Sequence, residues 1–392
     1  MPTRSRASSP DSLRRIPRRV SSPRGWILLL LLLGVSGRSA AQTPSDRRVE
    51  TFGRVQAAFG LDSNPREELE PSSDASDAFS RLLLEGRIRS VSATPGRRSV
   101  TLESRGFVER YLDLPAEARA QGEVRLLLDQ PLRERRGGIE AEAGVRHRAY
   151  PDSTSREFQR LWGRFAARAR LGRDGVVRPS FQIWRLDFAQ TPRVDRRAFD
   201  VGLDYERALA ANWMGHLGVA FERIRHGRPS LRLVDQGTGV PEALLAEDQS
   251  DSGRRIHLGA RFARRVVFRA QVGYQSQTSN SLGASWRRWD VRWLAARSLP
   301  HGLNVQCFGT LEKVHYVDDH LDDVFILRPG DELEANEDNN ALVVGLTKAF
   351  ASRLRAELRL AWYRNESLLV GDFFDKRLWT IALGWESGAS SF

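Results

Sequence analysis

The sequence predicts an all-β protein: a transmembrane, antiparallel, up-and-down β-barrel of about sixteen strands that follows a cleaved signal peptide. Three observations predict it. Apolar and polar residues alternate with a period of two from residue 49 onward, the mark of strands with two unlike faces. The alternating segments run to 11–15 residues, well beyond the ~5–6 of soluble sheets and long enough for a tilted bilayer span, which needs ~9–11. The connections between them alternate between short turns and long polar loops, as in barrels whose turns lie at one membrane face and whose loops lie at the other.

The N-terminus comes first. Residues 1–25 are basic and hold no apolar run. Trp26, Ile27 and the leucines from Leu28 to Leu33 follow, and then small residues, with Ser39 and Ala41 placed for signal-peptidase cleavage before Gln42. This run is about half the ~20 residues that span a bilayer as a helix. Residues 1–41 are therefore predicted to be a signal peptide and 42–392 the barrel; a retained signal anchor is the alternative. Arg14-Arg15 and Arg18-Arg19 raise a twin-arginine route, which the residues after them fit poorly, and no Cys follows the run to carry a lipid anchor. Beyond residue 41 no apolar stretch approaches 18 residues.

Charge is unevenly placed. The 392 residues carry a formal +12, but residues 1–41 hold eight Arg against Asp11, a charge of +7, which leaves +5 on the other 351. The basic excess belongs mostly to the leader, so a nucleic-acid partner is not expected. Cys307 is the single cysteine, which excludes an intrachain disulfide and C-x-x-C metal or redox motifs. No glycine-rich phosphate loop follows a strand and opens a helix, and no cofactor is expected.

The strands follow in order. Near the start, Val55, Ala57, Phe59 and Leu61 alternate with Arg54, Gln56, Ala58 and Gly60. Leu82, Leu84 and Ile88 alternate with Glu85, Arg87 and Arg89; Ile139, Ala141, Ala143 and Val145 with Glu140, Glu142, Gly144 and Arg146; Phe199, Val201, Leu203 and Tyr205 with Asp200, Gly202, Asp204 and Glu206. Later, Ile256, Leu258, Ala260 and Phe262 oppose Arg255, His257, Gly259 and Arg261, while Val272 and Tyr274 oppose Arg269, Gln271 and Gln275. Leu354, Ala356, Leu358, Leu360 and Trp362 oppose Arg355, Glu357, Arg359 and Tyr363. Arg and Glu at every second position would be ruinous in a soluble core, but not on a face that lines water.

The full set is 49–61, 79–93, 98–111, 121–131, 138–150, 157–171, 176–188, 197–207, 213–225, 253–263, 266–277, 284–297, 302–316, 339–349, 353–366 and 375–386. Thr94–Arg97, Gly172–Gly175 and Ala263–Arg265 are short turns; 62–78, 227–252 and 317–338 are long polar loops. One strand resists: in 176–188, Phe181 and Ile183 share a face while Trp184, Leu186 and Phe188 lie on the other. A bulge near Ile183 would repair it, and Pro179 suggests a late start. A sheet in lipid must close, because an open edge leaves backbone groups unpaired. Aromatics near strand ends (Tyr205, Trp213, Phe221, Tyr274, Trp289, Phe350, Trp362, Trp379 and Trp385) suit interfacial girdles. A secreted soluble β-sandwich is the competing fold.

Three local runs carry a family likeness. They are Phe59-Gly60-Leu61-Asp62-Ser63-Asn64-Pro65 closing the first strand, Arg364-Asn365-Glu366-Ser367 before the last hairpin loop, and the final strand from Phe374 to Glu386. On these the chain resembles bacterial outer-membrane β-barrels, and it is similar to porin-2-like barrels associated with exopolysaccharide secretion and to the barrel half of surface-lipoprotein assembly modifiers. The resemblance implies residence in the outer membrane of a Gram-negative-type envelope. It implies contact with outer-membrane lipid and lipopolysaccharide, biogenesis by the barrel assembly machinery, and transport of a small solute or polysaccharide. Two features depart from it. Leu383 and Trp385 occupy the last strand while Phe392 follows a small-residue tail, so either aromatic could serve as the assembly signal, and no helical-repeat domain precedes the barrel as it does in the assembly modifiers.

The expected function is a charged, water-filled channel. The pore-lining candidates are Arg87, Arg89, Arg146, Arg148, Arg255, Arg261, Arg269, Arg292, Arg355 and Arg359, with Glu85, Glu140, Glu142, Asp204 and Glu357. An Arg ladder would favour anionic solutes; the bland counterpart is a self-neutralising cross-strand network that stiffens the wall. Asp318, Asp319, Asp322 and Asp323 form an acidic loop that could take Ca²⁺ or Mg²⁺. The loop lacks the Gly and Glu of an EF-hand, and no metal is expected. Catalysis is not expected either: His315 or His320 beside these acids, or His147 near Ser153 and Ser155, would need partners that the sequence does not single out. The alternatives are a structural or adhesive surface barrel closed by its loops, and an outer-membrane hydrolase.

Overall fold

In a computed structural model, residues 47–388 are described apart from 66–75, 93–97, 133–136, 153–155, 191–194, 236–240, 318–339, 352 and 367–372. The described residues form sixteen antiparallel strands: β1 (Arg47–Asp62), β2 (Asp77–Ser92), β3 (Ser99–Tyr111), β4 (Arg119–Pro131), β5 (Gly137–Ala149), β6 (Phe158–Leu171), β7 (Gly175–Phe188) and β8 (Arg196–Ala210), then β9 (Trp213–Asp235), β10 (Pro241–Ala263), β11 (Val266–Ser279), β12 (Trp286–Leu299), β13 (Leu303–Tyr316), β14 (Ala341–Ala349), β15 (Leu354–Glu366) and β16 (Phe373–Ser387). Each strand pairs with its neighbours in sequence, and β1 pairs with β16 from Gly53↔Ser387 to Asp62↔Leu378, closing the barrel. The predicted signal peptide, the turn at Thr94–Arg97, the acidic loop and Phe392 lie outside the described residues.

Closure gives the two faces different curvature, and contacts that skip a strand tell which is concave. Arg54 on β1 reaches Glu357 on β15 at 3.6 Å, Arg168 on β6 reaches Asp129 on β4 at 2.5 Å, and Arg255 on β10 reaches Asp200 on β8 at 3.7 Å. Side chains converge on a concave face and splay on a convex one, so the charged parity points inward. The opposite parity points outward and is apolar: Phe59 is 71% exposed and Ile381 66%. Along β16 the alternation is complete, with Trp379, Ile381, Leu383 and Trp385 exposed and Thr380, Ala382, Gly384 and Glu386 buried. An apolar belt around a closed sheet is the surface a bilayer solvates. The protein is therefore an outer-membrane barrel.

The termini and the two- to three-residue turns, such as the one at Gly172 (φ +69°), share one end. The longest connections, β1 to β2 and β13 to β14, lie at the other end, which is extracellular in barrels of this kind. Interstrand spacing of ~4.8 Å and a tilt of ~40° give sixteen strands a circumference of roughly 100 Å. That is a backbone radius of roughly 16 Å, and side chains reaching ~6 Å inward leave a lumen roughly 20 Å across before the loops are placed.

Two expectations need correction. β7 has no bulge near Ile183 and does not start late: Pro179 pairs with Leu203, and the register runs unbroken on both sides. Phe181 and Ile183 point outward, and Trp184, Leu186 and Phe188 line the lumen. Trp184 and Phe188 are tolerated there because they have partners. Trp184 Nε1 donates to Glu222 Oε1 at 3.3 Å, the Arg160 guanidinium lies 5.3 Å from the Trp184 ring, and Phe188 packs against Phe158 at 5.9 Å. The second correction concerns the polar segment 227–252. Most of it is strand: β9 and β10 run 23 residues each and project as a hairpin. A register break near Asp248 marks where it leaves the wall, and Leu231 meets the β11–β12 loop, its N–H donating to Ser281 Oγ at 2.9 Å.

Candidate functional site

The lumen wall follows from the alternation, strand by strand. Register places all the pore-lining candidates on the concave parity: Glu85, Arg87 and Arg89 on β2, Glu140, Glu142, Arg146 and Arg148 on β5, Asp204 on β8, Arg255 and Arg261 on β10, Arg269 on β11, Arg292 on β12, and Arg355, Glu357 and Arg359 on β15.

The same parity collects charged residues that the sequence reading passed over, namely Arg81, Arg105, Glu109, Arg119 and Glu123, and Arg160, Arg164, Arg168 and Arg178. The signal for the β6 set was available, since these Arg alternate with Leu161, Phe165 and Leu171, which are exposed outside.

Much of the wall is neutralised laterally. Arg146 donates to Glu123 at 2.8 Å, Arg125 to Glu103 at 2.8 Å, Arg288 to Glu312 at 3.2 Å, and Arg355 to Glu386 at 2.9 Å. Arg168 bridges Asp129 and Glu140, and Arg292 meets Asp290 at 3.0 Å. Arg54 stands among Glu85, Glu357 and Glu386 within 3.9 Å. The buried Glu109 carboxylate accepts from both Arg81 and Arg119. Asp204 is 3.3 Å from His257 Nε2, and the His257 and His216 rings lie 5.8 Å apart. Such pairs hold long side chains flat against the wall and keep them from crossing the lumen.

Compensation fails locally. Arg261 and Arg269 stand directly opposite each other on β10 and β11, both exposed, and no carboxylate approaches either among the described residues. Arg359 packs over the Phe308 ring at 5.7 Å rather than against an acid. Like charges in direct register repel, so this part of the wall carries uncancelled positive potential. Two shallow recesses indent the wall, of about 310 Å³ beside Arg87, Arg89, Glu140 and Arg164, and about 340 Å³ beside Arg54, Glu85, Glu357 and Arg359. Trp162 and Trp184 are in register on the inner face of β6 and β7; Trp162 Nε1 donates to Glu142 Oε1 at 2.9 Å. Gly144 makes room for that indole, since a Cβ there would strike the Trp162 ring.

Of the residues considered for catalysis, His147 and His315 are described. His147 points outward, where its Nε2 lies 3.3 Å from Glu157; this carboxylate partner was missed in the sequence because it sits ten residues away across a loop. Ser153, Ser155, His320, Asp318, Asp319, Asp322 and Asp323 lie outside the described residues, and His315 is exposed on the outer face of β13.

No protein-family profile matches the chain, and no curated protein matches it either. Solved structures with a similar course include a bacterial polysaccharide outer membrane secretin, at TM-score 0.41 and 8% identity over 86% of this chain and 98% of the other. OmpT, an outer membrane protein of Vibrio cholerae, aligns at TM-score 0.44 and 8% identity over 89% and 100%. OccK2 (OpdF) of Pseudomonas aeruginosa aligns at TM-score 0.38 and 12% identity over 86% and 98%. Function has to be read from this chain's own residues.

Proposed function

We propose that this protein is an outer-membrane channel whose lumen passes hydrophilic, anionic solutes. The observation that carries the reading is the concave wall: sixteen closed strands enclose more space than side chains fill, where about eight would pack solid. That space is lined by guanidiniums and carboxylates, with an uncompensated pair at Arg261 and Arg269. Buried without water these groups would be prohibitively costly, and an aqueous lumen removes that cost. A pore with positive potential at one level concentrates anions there and disfavours cations. The role is passage, not catalysis.

An acidic polysaccharide is the cargo we favour within this class. Trp162 and Trp184 stand side by side on the inner wall, with Arg146, Arg160 and Arg164 on the same face. Flat apolar faces for sugar rings beside guanidiniums for carboxylates or sulfates would suit such a chain.

Single-channel recording in a planar bilayer tests both statements. The expected result is conductance with a reversal potential, under a KCl gradient, on the chloride side, shifting toward neutrality in an Arg261→Gln/Arg269→Gln variant. Polygalacturonate oligomers on one side should produce transient block that weakens in Trp162→Ala. Absence of conductance in the native chain and after removal of residues 318–338 would sink the channel reading. The other polar segment, 227–252, is unsuitable for deletion because most of it is strand.

A further inference from the structure

The outer face holds a feature that the lumen reading does not use. Above the apolar belt, toward the extracellular side of β7 to β10 and β12, the outward parity turns from apolar to basic. Arg185, Arg197 and Arg225 stand in one row on three adjacent strands, each directly opposite the next. Arg223 lies one outward position lower on β9, opposite Phe199; Arg254 on β10 faces Phe221; and Arg287 on β12 faces Ser276. Arg197, Arg223, Arg225, Arg254 and Arg287 are exposed, and no carboxylate approaches any of them among the described residues. Arg185 alone has one, Asp187 at 2.6 Å.

Arg197 and Arg225, in direct cross-strand register and with no acid to offset them, work against the sheet, because like charges opposite one another destabilise the pairing. At ~4.8 Å between strands the row fits within roughly 10 Å. Water screens such a row poorly where one side is hydrocarbon, and immediately below it Phe199, Phe221, Ile256 and Trp289 are exposed to lipid. Arg is the side chain that grips phosphate bidentately. The complementary occupant therefore carries clustered phosphates at headgroup level and acyl chains beneath them.

We propose that this face binds a phosphorylated glycolipid of the outer leaflet, of the lipid A type, with its phosphates on Arg197, Arg223 and Arg225 and its acyl chains along the apolar strip below. The site lies on the outside of the barrel and does not depend on whether the lumen conducts. It accounts for Arg197, Arg223 and Arg225, which no carboxylate offsets among the described residues.

Native mass spectrometry of the full-length protein in lipid-free detergent tests it, with synthetic diphosphoryl lipid A as the probe. The barrel should retain one lipid, and the affinity should fall about a hundredfold in Arg197→Gln/Arg223→Gln/Arg225→Gln, at ~1 kcal/mol per basic residue near an anionic headgroup. Arg110→Gln, exposed at the same end of β3, should leave it unchanged. Folding of each variant is checked by its mobility on unheated gels. The native protein supplies an independent arm if the triple variant does not fold: dephosphorylated lipid A should bind at least about tenfold more weakly. Equal binding of the two lipids, equal binding by native and triple-variant protein, or displacement of the lipid by equimolar inorganic phosphate would each overturn the proposal.

Discussion

Replacing Glu109 tests whether the inner wall is held by its charge network. The Glu109 side chain is fully buried and accepts from two guanidiniums, Arg119 at 2.8 Å and Arg81. In Glu109→Gln a single carbonyl oxygen remains to accept, and the amide N–H₂ is turned toward the other guanidinium, donor against donor. Two charge-assisted hydrogen bonds of ~1.5–3 kcal/mol each are at stake. Arg81 is 25% and Arg119 31% exposed, so water recovers part of the loss and the lower end applies, about 3 kcal/mol in all. In a urea titration of the folded barrel, with an m-value of about 3 kcal/mol/M, the midpoint should move down by about 1 M. The triple replacement Arg81→Met/Glu109→Met/Arg119→Met should recover most of it, because removing a whole buried cluster leaves no unpaired charge. A midpoint shift below about 0.3 M in Glu109→Gln would refute the reasoning, since it would mean that lumen water already solvates the pair.

Further tests address the closure, the two faces and a close approach. Tyr111→Phe removes the hydroxyl that donates to Asp62 at 2.8 Å, beside the Asp62–Lys376 bridge at the β1–β16 seam, and should cost about 1–2 kcal/mol in the same titration. Ile381→Arg places a charge on the lipid face, where the residue is 66% exposed, and should cost about 2–4 kcal/mol if it lies near the midplane, read as loss of the fast-migrating folded form on unheated gels. In a Cys307→Ala background, a membrane-impermeant maleimide should label Leu186→Cys through the lumen and leave Ile183→Cys unlabelled in liposomes; the reverse would restore the bulge in β7. Gly144→Val must displace the Trp162 indole from Glu142, with a red-shifted tryptophan emission and a cost of about 1–3 kcal/mol.

The number of strands, their pairing order and the face each residue takes were legible because the protein has two solvents. Wherever hydrocarbon lies outside and water inside, the side-chain period of two is written directly as apolar and charged residues, as in Leu354–Trp362 or Trp379–Trp385. The reading faltered where that contrast vanishes. Along β7 both parities hold apolar residues, because Trp184, Leu186 and Phe188 face the lumen, where Trp184 bonds Glu222 and Phe188 packs on Phe158. In 227–252 the residues buried among those described are mostly polar, Arg228, Ser230, Gln249 and Asp251, so no apolar parity announces a strand, and the segment reads as loop although its backbone continues the ladder.

The sequence by itself determined the barrel, its place in a membrane and the sign of each face, because alternation is a local property that any strand of sufficient length displays. Which charges cancel was decided only by tertiary structure. Arg54 and Glu357 lie 303 positions apart and meet because β1 closes on β16 and the inward curvature brings the next strand within reach. Arg197 and Arg225 look like ordinary surface residues in the sequence; register sets them directly against each other with no acid between. Coulomb energy depends on separation in space, which period and composition do not contain.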